Sequence, residues 1–202
     1  MLTFAVAVFL LIGTPGPGVM TAAGVGAAYG FQPGLRYVLG LFLGNFFVAL
    51  AVISGLSAIV LSIPVVRTVL MVLSIGYLIY LAAKIAFAGS RIAFLEAKTA
   101  PGVLNGLLLQ PINPKAYAVN TALFSGFAYA PGDLVFETVT KLLIFNAIWI
   151  PIHLAWLYAG VTLHRLDLPE RTHRMINVGM AAAMLGVVAL AVWSAIRTAG
   201  GG

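Results

Sequence analysis

The sequence predicts an all-α, polytopic membrane protein with six transmembrane helices arranged as two inverted three-helix repeats, the first and fourth helices broken. Three observations predict it. Hydrophobic residues make up 62% of the chain and charged ones only 8%, against about 25% charged in soluble domains, and the mean hydropathy is +1.08. Uncharged stretches reaching the ~20 residues that cross a hydrocarbon core recur from one end to the other. Proline clusters interrupt two of them near their midpoints. No room is left for a separate soluble domain. The chain is read as one transmembrane domain over 1–202, with repeat one over about 1–90, a hydrophilic loop over 89–102 and repeat two over about 103–202.

Apolar runs place the spans near 2–28, 36–61, 65–88, 103–129, 133–162 and 175–197. Pro64 separates the second from the third, Pro131-Gly132-Asp133 the fourth from the fifth, and the polar run from His164 to Arg174 the fifth from the sixth. Met1-Leu2-Thr3-Phe4 lacks the basic start of a cleaved signal. Arg36, Lys84, Arg91, Lys98, Arg165, Arg171 and Arg174 fall in the odd-numbered loops, and Arg67 and Arg197 on the other side. The positive-inside rule makes the odd loops cytoplasmic and both termini periplasmic or exterior.

The net charge of +6 fits topology better than nucleic acid, whose binders cluster their Lys and Arg on one face. Without cysteine there is neither a disulfide nor a thiolate metal site. His164 and His173 lack metal-ligand spacing, and neither a metal nor another cofactor is expected. The chain carries no Ser/His/Asp set, no HExxH and no paired intramembrane carboxylates, which argues against an enzyme.

The first break is Thr14-Pro15-Gly16-Pro17-Gly18 and the second Pro111-Ile112-Asn113-Pro114-Lys115. A common offset carries Gly16 onto Pro114, Pro17 onto Lys115 and Gly34 onto Gly132. Two halves of three spans each must face opposite ways, the inverted arrangement of many secondary transporters. Proline lacks an N–H and its ring clashes with the preceding turn, so Pro15, Pro17 and Pro114 should break their helices beside a cavity or protein. Asn113 as N-cap with Pro114 at the first helical position is a start signal for a second half-helix, and Thr14 with Pro15 could act alike. Two half-helix N-termini would then favour a carboxylate at mid-membrane. The competing reading is a pair of simple proline kinks.

Lys115 is the sharpest single residue, since an intramembrane ammonium costs roughly 2.5–3.5 kcal/mol on insertion scales. A substrate carboxylate would compensate it, and a backbone carbonyl or snorkelling is the alternative. Asn45 could receive a substrate ammonium through its amide oxygen, or form an interhelical hydrogen bond. Glu137 and Lys141, spaced i, i+4, read mainly as an ion pair near the outer end of the fifth span, with a proton-coupling role as the alternative. His153 beside Pro151 is either a coupling group or a packing residue, and Asp133 a helix-start residue. Gly26-xxx-Gly30 and Gly40-xxx-Gly44 are spacings for close helix approach.

Thr14-Pro15-Gly16-Pro17 and Asn113-Pro114-Lys115-Ala116, with Gly34-Leu35, Gly44 before a polar residue and Gly76-Tyr77-Leu78-Ile79-Tyr80-Leu81, resemble the LysE/RhtB family of amino-acid exporters over essentially the whole chain. That resemblance implies a bacterial inner-membrane exporter of amino acids or similar zwitterions, driven by the proton motive force and often drawn as a homo-oligomer. It departs from the family pattern at Asn45, where members often carry an acidic residue, and at Gly18, where Asp or Asn often stands. Combined with the residue chemistry, it leads us to expect alternating-access export. Thr14, Gly16, Asn45, Asn113 and Lys115 would contact the substrate, and a carrier or channel for another small solute or ion is the alternative.

Overall fold

The computed structural model describes residues 1–14, 16–56, 63–86, 100–127, 129–130 and 132–165, with scattered positions between 171 and 189. Among them it is helical throughout and contains no strand: α1 Leu2–Gly13, α2 Pro17–Tyr29, α3 Phe31–Ile53, α4 Pro64–Ala86, α5 Val103–Ile112, α6 Pro114–Gly126 and α7 Leu134–Arg165. The first predicted span is thus the pair α1 and α2, bent by 52°, and the fourth is the pair α5 and α6. By length and composition α3 and α7 can each cross a membrane, and α1 with α2 makes a third crossing as one bent span. The predicted sixth span, apart from scattered positions, the loop up to residue 99, and Pro15 lie outside the described residues.

Both ends of the second span differ from expectation: it was expected to run to 61, yet α3 ends at Ile53 and Gly55 turns the chain with φ 76°. The second span was expected from 36, yet α3 starts at Phe31, with Gly30 alone between it and α2. Gly30 has φ 81°, a conformation glycine adopts without the Cβ penalty. That single residue turns the chain. Pro33 falls in the first turn of α3, where a missing N–H leaves nothing unsatisfied.

Helices α3 and α5 pack most extensively together, as do α2 and α7. Both contacts depend on glycine. A Cβ on Gly40 would strike the Val103 carbonyl, and one on Gly106 the Tyr37 carbonyl, so α3 and α5 meet backbone to backbone. Gly26 likewise faces the Leu157 carbonyl of α7, where a Cβ would approach to 2.7 Å. The close-approach reading therefore holds for Gly26, Gly40 and Gly44, whereas Gly30 serves as the turn. The core runs beside these seams: Phe4, Val8 and Ile12 form one stripe of α1, and with Tyr37 and Leu41 of α3, Leu109 of α5 and Phe145, Trp149 and Leu157 of α7 they make one buried cluster.

Candidate functional site

Both predicted breaks exist, and the fold brings them together. At the second, α5 ends at Ile112, and Asn113 takes an extended backbone, φ −85° and ψ 107°, as the residue before a proline must. Its Oδ1 accepts the Lys115 N–H at 3.1 Å, and Pro114 occupies the first helical position of α6. This is the start signal read from the sequence.

At the first break the expectation is corrected. Thr14 does not start a helix; it ends α1, its hydroxyl donating to the Leu10 carbonyl at 2.6 Å. Gly16 is the N-cap of α2, with Pro17 at the first helical position. The physical reason is the second proline: Pro17 has no N–H to lose at a helix start, and its fixed φ suits that position.

Lys115 links the breaks. Its ammonium donates to the Thr14 carbonyl at 2.5 Å, across 101 residues of sequence. The backbone-carbonyl partner raised as an alternative for Lys115 is thus present. The side chain lies over Gly16, where a Cβ would come within 2.7 Å of Lys115 Cδ and 2.9 Å of Nζ. Only glycine leaves room for this crossing.

Beneath the crossing is a cavity of about 50 Å³, space for a few waters at ~10–15 Å³ each. Gly16, Asn45, Asn113, Lys115 and His153 line it, with Gly18 and Gln110 completing its polar side. The rest is apolar and includes Leu11, Ile12, Val19, Val119, Phe145 and Trp149. His153 is buried and stacks on Trp149 at 3.5 Å between ring centroids. Its Nδ1 lies 3.0 Å from the Trp149 carbonyl, so in the neutral ring Nδ1 donates and Nε2, facing Gly18, is an acceptor.

Asn45 is buried and accepts a hydrogen bond from Asn120 Nδ2 at 3.1 Å. The interhelical bond offered as its alternative role is therefore formed, and one lone pair of its oxygen remains for a second donor. Gln110 and Asn120 were missed in the sequence. Gln110 is 3% exposed and accepts from Asn113 Nδ2 at 3.3 Å; Asn120 is wholly buried. Both are amides inside an apolar span, the signal that singled out Asn45, but they were overshadowed by the proline motif between them.

Glu137 and Lys141 lie elsewhere. They form the expected ion pair, 2.7 Å long and buried at the start of α7. Glu137 also accepts the N–H groups of Tyr129 and Ala130, at 2.9 and 2.6 Å, and Lys141 donates to the Phe124 carbonyl at 3.1 Å. The pair thus clasps the segment between α6 and α7 and does not line the cavity. Asp133 accepts the Phe136 N–H at 2.9 Å, a helix-start contact.

Compared with known families, residues 9–195 match the model described as LysE type translocator. Neither the curated proteins nor the solved structures contain a match to the chain.

Proposed function

The chain belongs to the LysE type translocator family and is a membrane transporter, and on that premise we propose that it exports amino acids or similar small zwitterions by alternating access. The observation that carries the proposal is the meeting of two broken helices at Lys115 over a mixed polar and apolar cavity. The N-terminal end of α2 presents its first N–H groups, and α6 adds a positive dipole end whose first N–H is held by Asn113; together they suit a carboxylate. In this reading Lys115 leaves the Thr14 carbonyl to meet that carboxylate. The substrate ammonium turns to the open lone pair of Asn45 and to Nε2 of His153.

The remaining assignments belong to the same proposal: six spans in two inverted repeats forming one domain, a bacterial inner-membrane setting with both termini outside, and coupling to the proton motive force. His153 is the coupling candidate at the cavity, while Glu137 and Lys141 serve the closed position of the segment between α6 and α7.

The test is efflux of labelled amino acids from vesicles containing the protein, with and without a proton gradient, beside Lys115→Ala. Gradient-dependent efflux that vanishes in the folded variant is the expected result. Unchanged flux in Lys115→Ala would overturn the site assignment, and no efflux of any amino acid would shift the substrate to another solute.

A further inference from the structure

The five acidic residues of the chain are Glu96, Asp133, Glu137, Asp167 and Glu170. Glu96, Asp167 and Glu170 belong to hydrophilic stretches of the sequence, and Asp133 caps the start of α7. Glu137 alone is a buried carboxylate among the described residues, and it is held by Lys141 and two backbone N–H groups. The cavity has Lys115 as its cation, and its other polar lining groups are neutral amides and an imidazole. Its body is aliphatic and aromatic.

Resting on the exporter reading, we propose that this site selects amino acids with an uncharged side chain and rejects those with a cationic one. A bound small zwitterion brings no net charge to a site that already holds one ammonium. Its own carboxylate lies beside its α-ammonium, and neutral acceptors such as the Asn45 amide oxygen suffice for that group. Lysine would add a second cation among Val19, Val119 and Phe145, with no carboxylate among the described lining residues to receive it. A charge buried without a partner is strongly disfavoured, and the expected discrimination is about 100-fold or more.

The experiment is counterflow into proteoliposomes of the purified full chain, using labelled alanine, valine and lysine, repeated with Asn45→Asp. That substitution is nearly isosteric, and the Asn120 amide at 3.1 Å can still donate to the new carboxylate. Alanine or valine exchange about 100-fold or more faster than lysine, with lysine exchange rising in Asn45→Asp, is the expected result. Lysine exchange equal to alanine in the unmodified protein overturns the proposal. So does an Asn45→Asp protein that still exchanges alanine yet excludes lysine as before, because the missing carboxylate is then not the reason. Exchange of none of the three overturns the exporter reading itself, a distinct outcome.

Discussion

Gly16→Ala isolates the contact on which the site depends. The new Cβ would sit 2.7 Å from Lys115 Cδ and 2.9 Å from Nζ, whereas carbon atoms rest at ~3.5–4.0 Å. The side chain must withdraw by about 1 Å, which carries its 2.5 Å bond to the Thr14 carbonyl past the ~3.2 Å limit of a good hydrogen bond. A hydrogen bond to a charged group is worth about 1.5–3 kcal/mol. Against this, Gly→Ala at a compatible backbone stabilises by about 0.4–1 kcal/mol through the unfolded chain. Gly16 is compatible, with φ −168°. The net expectation is a loss of roughly 1–2 kcal/mol with Lys115 present. In a Lys115→Ala background the obstructing side chain is gone, so the same change should be neutral or mildly stabilising. Equilibrium unfolding of the four proteins in detergent measures both, and the sign reversal is the signature of direct contact. Equal destabilisation by Gly16→Ala in both backgrounds would refute the crossing of Lys115 over Gly16.

Three other perturbations test the frame around the site. Gly106→Val pushes side-chain atoms against the Tyr37 carbonyl and Leu41 N–H, backbone groups that cannot withdraw, so size-exclusion chromatography should show loss of folded protein; Gly126→Ala, with nothing within 4 Å of its Cβ, should leave the profile unchanged. Glu137→Leu removes the carboxylate and leaves the buried Lys141 ammonium with the Phe124 carbonyl as its hydrogen-bond acceptor and should cost about 3–5 kcal/mol by chemical denaturation, largely recovered when Lys141→Met is added. Asn113→Ala removes the cap on the Lys115 N–H and should cost about 1 kcal/mol in the same assay.

What the sequence made legible follows from how local each signal is. Pro114 after Asn113 specifies a helix start within three residues, and α6 begins there. Glu137 and Lys141 need only one helical turn to pair, and they do. Thr14-Pro15 carried an ambiguous signal, because two prolines compete for the same role and only Pro17 can begin a helix that Gly16 caps. Gln110 and Asn120 were not legible as site residues, since their meaning arises from which helix they face. Asn120 matters because it reaches Asn45, 75 residues away, and no local pattern encodes that distance. The single-residue turn at Gly30 was equally hidden: its φ is a property of the folded chain, and glycine there reads as easily as a packing residue.

The partner of Lys115 explains how a membrane helix tolerates a lysine at this place. The N-terminal end of α6 is the positive end of a helix dipole, so the ammonium would be repelled by its own helix. The break in the preceding span removes the conflict. Because α1 stops at Gly13, its last carbonyls have no helical partner, and the Thr14 carbonyl lies at the negative end of that dipole. The same break starts α2 at Pro17 and so places a positive helix end beside the negative one. A broken helix therefore offers both polarities at one point, a carbonyl for the lysine in the structure described and N–H groups for the carboxylate of the proposed substrate. An unbroken kink would offer neither. It follows that Lys115 and the first break are structural partners: Lys115→Ala should leave the Thr14 carbonyl without its donor, whereas Lys115→Arg, which retains the charge but not the compact ammonium, should keep the fold and lose the fit over Gly16.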